Sequence, residues 1–196
     1  MKKYSIVFGL ILLPFLSGCS YLTGIVFPQD PLTAEEHNNL GVAYEKEGKY
    51  ELALREYNKA LNKDSSLITP LVNMGNVYFK QGKYKEAEKC YLKALKKDER
   101  NIEAANNLAS LYITLGKDYE KGLEYLTKAT VSPESAPAYA LDTLGVLYFK
   151  LGDKERAKEM LVKACERVGD DKALIEEIEV HIKELGEQGC VNKHFN

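Results

Sequence analysis

The chain repeats itself at a fixed interval. Leu40, Gly41, Tyr44, Gly48, Tyr50, Ala53, Tyr57 and Ala60 return 34 residues later as Met74, Gly75, Tyr78, Gly82, Tyr84, Ala87, Tyr91 and Ala94. A looser third copy has Leu108, Ala109, Tyr112, Gly116, Tyr119, Gly122, Leu126 and Ala129, and a fourth has Leu144, Gly145, Tyr148, Gly152, Ala157, Leu161 and Ala164. Within each half of a copy the large and small apolar residues fall at i, i+3, i+4 or i+7, the period of an amphipathic helix. Each copy is therefore two helices, and such a hairpin cannot bury its apolar face alone, so the copies must stack.

Period and residue pattern resemble the tetratricopeptide (TPR) repeat. The resemblance implies an all-α, right-handed TPR solenoid of four helical hairpins closed by a C-terminal capping helix. The small residue of each copy (Gly41, Gly75, Ala109, Gly145) lets the two helices of a hairpin approach closely, and the tyrosine one turn later is expected to fill the space beside it. Gly48, Gly82, Gly116 and Gly152 end the first helices, where a left-handed C-cap suits glycine. The third copy is irregular: Ala109 to Gly145 is 36 residues, with one extra residue at Lys117–Asp118 and one in the Ser132–Pro137 connection, whose two prolines stiffen a bend.

Organisation follows from these marks. Residues 1–18 read as a signal peptide, 19–33 as a tether, 34–67, 68–101, 102–137 and 138–170 as the four repeats, 171–187 as the capping helix and 188–196 as a flexible tail. Thr33 with Glu36 forms a capping box for the first helix, and Leu174, Ile178, Ile182 and Leu185 give the capping helix one apolar face.

Lys2 and Lys3, the apolar run Ile6–Leu13 and the small residues Ser17 and Gly18 make a secretory signal. Its ending, Leu16-Ser17-Gly18-Cys19, resembles the lipobox of bacterial lipoproteins. The resemblance implies cleavage before Cys19, lipidation of its thiol with further acylation (palmitate or a similar chain), and, with Ser20 next and a Gram-negative source, sorting to the outer membrane facing the periplasm. A plain secretory signal with an incidental Cys19 is the alternative. Two or three acyl chains anchor a protein durably where one does not, and the tether, fully extended, spans roughly 45 Å at ~3.3 Å per residue.

Several function classes are excluded. The chain has 27 Lys+Arg against 29 Asp+Glu; without Lys2 and Lys3 the balance is 25 against 29, a formal −4, which leaves no electrostatic footprint for nucleic acid. The Gly-Lys pairs at Gly48, Gly82 and Gly116 are not phosphate loops, because six residues separate them from the preceding small residue and no Ser or Thr follows the lysine. No catalytic set occurs at a workable spacing, so the chain reads as non-catalytic with no cofactor beyond the lipid. His181, Cys190 and His194 are too loosely spaced to count as a metal site, and none is assigned. Cys165 is expected to be a small core residue; a Cys165–Cys190 disulfide is permitted by an oxidising compartment but not placed by spacing.

What remains is a binding surface. Asn39, Asn73 and Asn107, then Thr143, precede the Leu-Gly step in successive repeats and resemble the asparagine ladder of some TPR superhelices, in which amides pair with the backbone of an extended peptide. Asn is also simply common at this position. Val42, Asn76, Phe79, Ile113 and Phe149 are candidate anchors on the same face, or else packing residues. The basic clamp that some TPR proteins use for chaperone tails is missing, since Asn38, Val42, Asn73, Glu103 and Asn107 stand in its place. The expected function is a membrane-anchored adaptor that binds a protein or peptide in a concave groove, resembling the TPR lipoproteins of pilus or secretin assembly and those that hold hydrolases. The alternatives are a self-associating, homo-oligomeric structural lipoprotein and a metal- or redox-active tail.

Overall fold

The structure is a computed structural model that describes residues 30–187 and 190. The stretch read as a signal peptide, Cys19, most of the expected tether and all of the expected tail but Cys190 lie outside the described residues. The chain divides into a segment, Met1–Pro31, and a compact unit, Leu32–Asn196, with its own hydrophobic core.

Among the described residues there are nine helices and no strand: α1 (Ala34–Lys46), α2 (Tyr50–Lys63), α3 (Thr69–Lys80), α4 (Tyr84–Lys97), α5 (Ile102–Leu115), α6 (Tyr119–Thr130), α7 (Ala138–Lys150), α8 (Lys154–Arg167) and α9 (Lys172–Glu184). Polar caps set the starts. Thr33 Oγ1 accepts from the Glu36 amide at 3.1 Å while the Thr33 amide donates to Glu36 Oε2 at 2.7 Å, and the side chains of Asn101, Asp153 and Asp171 accept from backbone amides at the starts of α5, α8 and α9. The first helix of each hairpin ends at a glycine with positive φ, from 64° at Gly116 to 84° at Gly152.

Helix pairs α1/α2, α3/α4, α5/α6 and α7/α8 are the hairpins, and each second helix also packs on the next first helix. First helices touch one another along the whole series, α1 to α3, α3 to α5, α5 to α7 and α7 to α9, whereas no two second helices touch. That difference curves the stack: the row of first helices is the inner, tighter layer, and α2, α4, α6 and α8 splay along the outside. Helix α9 continues the inner row and buries Ile178 and Ile182 against the end of the core, with Leu174 and Leu185 packed beside them.

The core runs between the layers, with Leu108, Leu111, Leu126, Leu141 and Leu147 fully buried, each contributing about 1.5–3 kcal/mol on removal from water. The tyrosine that fills the space beside each small residue is not the one a turn along the same helix. A Cβ on Gly41 would sit 2.5 Å from Cε1 of Tyr57, and one on Gly75 would collide with Tyr91, so the filling ring comes from the second helix of the hairpin. In the fourth hairpin Leu161 takes that place against Gly145. The third hairpin inverts the arrangement: Ala109 carries the methyl and Gly122, across from it, gives the room. The extra residue there, Asp118, takes a left-handed backbone (φ 53°), and Val131, where α6 ends, also has a positive φ (60°). The Ser132–Pro137 connection that follows is held from α8, since Arg167 Nη1 donates to the carbonyls of Pro133 and Ala136 at 2.6 and 2.8 Å.

Cys165 departs from expectation. It is half-buried rather than a core thiol, and it forms a disulfide with Cys190, Cα to Cα 5.7 Å. That bond ties the chain after α9 back onto α8, so Cys190 is not part of a free tail. Cys90, the other cysteine among the described residues, is buried and free, and burial raises its thiol pKa.

Candidate functional site: the inner wall

The inner row of helices brings the asparagines of successive repeats to one another. Asn73 Nδ2 on α3 donates to Asn38 Oδ1 on α1 at 3.0 Å, and Asn107 Nδ2 on α5 donates to Asn76 Oδ1 on α3 at 2.8 Å. The rungs therefore join Asn38 to Asn73 and Asn76 to Asn107, while Asn39, one of the three residues in register by sequence, is exposed beside them. Sequence spacing could not find Asn38 or Asn76 as rungs, because register between adjacent helices is set by how they cross and not by the repeat period.

Tyrosines of the second helices reach up to the inner row, and one of them holds a rung. Tyr91, in the core, donates its phenol to the same Asn76 Oδ1 at 2.8 Å, and Tyr57 donates to Glu45 Oε2 of α1 at the same distance. Burial raises both phenol pKa values, so they remain donors throughout the physiological range. With one amide oxygen and one amide nitrogen of each pair engaged, the pair keeps a donor (Nδ2 of Asn38 or Asn76) and an acceptor (Oδ1 of Asn73 or Asn107) for something else. Asn106 Oδ1 is buried with no hydrogen-bond partner among the described residues.

The apolar candidates lie on the same row in varied settings. Val42 and Ile113 are half-buried and pack against the core, and Phe79 packs edge-on to Tyr84 at 5.6 Å. Phe149 is half-buried with the Lys150 ammonium 5.7 Å from its ring centre. Thr143, the fourth residue of the asparagine series, is buried and donates back to the Tyr139 carbonyl at 3.0 Å, so it offers no rung.

Two histidine–carboxylate contacts bracket the wall. His37 Nδ1 meets Glu56 Oε2 at 2.8 Å between α1 and α2. Burial pushes the Glu56 carboxyl up, and hydrogen bonds from His37 and Lys59 outweigh it and bring it below the ordinary value. At the other end His181 Nδ1 of α9 meets Asp142 Oδ1 of α7 at 2.8 Å. Glu177 brings a third ligand-type atom within 4.8 Å of these two, but the histidine–aspartate hydrogen bond already accounts for the buried carboxylate. Of the loosely spaced His181, Cys190 and His194, Cys190 has its sulfur in the disulfide and His194 lies outside the described residues.

Charge is sorted between the layers. Helices α2, α4, α6 and α8 carry fifteen Lys and Arg against nine Asp and Glu, whereas α1, α3, α5, α7 and α9 carry five against nine. The near-neutral total conceals an acidic balance in the inner row of helices and a basic one in the outer row.

Comparison with known proteins agrees with this architecture. Three models of the tetratricopeptide repeat match the chain, over residues 46–82, 70–101 and 138–167; the irregular third repeat falls between the matched stretches. The chain is a tetratricopeptide-repeat protein, an all-α TPR solenoid. Among solved structures it resembles PilF of Pseudomonas aeruginosa (24% identity, 77% of this chain and 68% of that one, TM-score 0.65). It is also similar to MamA of Desulfovibrio magneticus (20%, 79% and 86%, 0.62) and to a tetratricopeptide repeat protein of Parabacteroides merdae (24%, 82% and 62%, 0.65). At these identities the likeness is one of fold. No curated protein sequence matches the chain.

Proposed function

We propose that the protein is a non-catalytic adaptor that holds an extended segment of a partner protein along its inner wall, anchored to the bacterial outer membrane through lipidated Cys19 and facing the periplasm. TPR repeats are protein-interaction scaffolds, and the observation that carries the finer reading is the pair of cross-repeat amide rungs, Asn38–Asn73 and Asn76–Asn107. Each rung offers one donor and one acceptor, the pairing that a peptide backbone in extended conformation requires, and it does so without regard to the ligand's side chains. Val42, Phe79, Ile113 and Phe149 flank the rungs as apolar contacts, and the acidic balance of the inner helices favours a segment that is neutral or basic. The assembly of envelope machinery is the setting that this architecture and the lipobox-like Leu16–Cys19 support.

Replacing Asn73 and Asn107 together by alanine tests the reading. Partner capture from an envelope extract is expected to fall about five- to a hundredfold with helical circular dichroism unchanged, two lost hydrogen bonds being about 0.5–1.5 kcal/mol each. Undiminished capture by the folded double variant contradicts the amide wall. Mass spectrometry of the protein extracted from membranes reads the anchor: a diacylglyceryl adduct on an N-terminal Cys19 is expected, and an unmodified chain retaining residues 1–18 contradicts it.

A further inference from the structure

The outer layer's positive charge is not evenly available. On α6 and α8 most cations are engaged: Lys121 with Asp118 at 2.7 Å, Lys128 with Glu99 at 2.8 Å, Arg156 with Asp153 at 2.5 Å, Lys158 with Glu187 at 2.6 Å and Lys163 with Glu159 at 2.9 Å. Helix α4 differs. Lys85, Lys89, Lys93 and Lys96 are all exposed, and among the described residues none has a carboxylate within ion-pair distance. At i, i+4, i+8 and i+11 they share one face of the helix over about 16 Å. Of the carboxylates on α4, Glu88 accepts from Tyr112 Oη at 2.8 Å, which leaves Glu86 as the other negative group of the helix.

The row ends at a cleft of about 430 Å³, lined by Leu61, Ser65, Leu71, Lys93, Lys96 and Lys97. Two leucines from α2 and α3 make an apolar floor, three lysines of α4 make a cationic rim, and Lys97 Nζ donates to the Ser65 carbonyl, bracing the rim across the repeat boundary. Lysines in the last turn of a helix complement its dipole, which accounts for Lys96 and Lys97. Lys85, Lys89 and Lys93 lie before that turn, and no intrahelical role explains their lack of partners.

We propose that this face of α4 docks on an anionic phospholipid surface, with the lysines over the phosphates and the cleft receiving the apolar part of one lipid. Lysine is a point charge without the planar fork that selects a single carboxylate or phosphate, and a row of such charges suits a laterally diffuse array of headgroups. An apolar floor beneath the charges fits an amphiphile better than a wholly polar anion. Docking by the outer layer leaves the acidic inner wall turned away from the bilayer. The proposal goes beyond the lipid anchor and does not depend on it, because it is read on residues 20–196, which lack Cys19 and contain the whole compact unit.

The test is co-sedimentation of that chain with vesicles of equimolar phosphatidylglycerol and phosphatidylcholine, and with phosphatidylcholine alone. Binding to the anionic vesicles is expected at about 0.01 M salt and release at about 1 M, where the Debye length has fallen from about 30 to about 3 Å. The triple variant Lys89→Gln, Lys93→Gln, Lys96→Gln should bind about a hundredfold more weakly, at about fivefold per lysine, with its helical dichroism retained. A second triple, Lys121→Gln, Lys128→Gln, Lys158→Gln, makes the same change in net charge on paired lysines and should lose less than tenfold. Equal binding to both vesicle types, no binding to either, or an equal loss in the two triples overturns the proposal. So does competition by soluble polyglutamate as effective as that by the vesicles at equal charge, which would mark the face as a site for acidic peptides instead.

Discussion

At the scale of single residues the fold depends on where a methyl group can and cannot be placed. Gly75 faces the ring of Tyr91, which is buried and held by its hydrogen bond to Asn76. Gly75→Ala should therefore cost about 1–3 kcal/mol through overpacking, and it should also disturb the rung above, because Tyr91 cannot move without releasing Asn76. Gly82 has open space around its Cα and a φ of 71°, so Gly82→Ala should cost about 1–2 kcal/mol of backbone strain and leave the wall intact. Urea unfolding of the two variants checks the magnitudes, and partner binding separates the mechanisms, since only Gly75→Ala should weaken it. The glycines and tyrosines were legible in the sequence as a pattern; which tyrosine meets which glycine was not. A stripe at i, i+3 identifies the face a residue occupies, but the ring opposite comes from another helix, and only the crossing of the two helices decides it.

At the scale of elements the closing helix carries the clearest conditional behaviour. His181 ties α9 to the buried Asp142 of α7, and that hydrogen bond, working against burial, holds the imidazole pKa above its ordinary value. A pKa raised in the folded state means stabilisation that is fully present below the unfolded value of 6.5 and is lost as pH rises through the folded one. Amide exchange in α9 should accordingly quicken between mildly acidic and mildly alkaline pH by more than the intrinsic rate, and Asp142→Asn should abolish the excess. An α9 whose protection is indifferent to pH in the wild-type chain contradicts this. The disulfide acts on the same end. Reducing Cys165–Cys190 opens a loop with a sequence separation of 25 residues, which should lower stability by about 3 kcal/mol, read as a lower melting temperature in dithiothreitol that Cys190→Ser reproduces without reductant. The capping box at Thr33 and the apolar face of α9 could be read from sequence because both are local. The disulfide and the His181–Asp142 pair could not, because they join residues 25 and 39 apart whose approach depends on how α9 docks.

At the scale of the whole molecule, thirty-four-residue periodicity was enough to establish stacked hairpins, and a near-neutral charge was enough to argue against nucleic acid. The sorting of that charge between layers was hidden, because a total sums over faces that the fold separates. The same sorting gives the molecule two unlike surfaces: an inner wall of amides and half-buried apolar side chains on an acidic background, and an outer layer whose free lysines gather on α4. The irregular third repeat sits between them in the series without breaking it, since α5 contacts both α3 and α7, and the wall runs on to the closing helix.

The central claim is that the partner lies along the inner row of first helices. A photo-crosslinking amino acid placed singly at Val42, Phe79, Ile113 and Phe149, and for comparison at the outer-layer positions Glu124 and Lys154, reads it directly in intact cells. Adducts of one common mass from the four inner positions, and none from the outer two, are the expected result. Adducts from the outer positions with the inner ones silent would contradict the account.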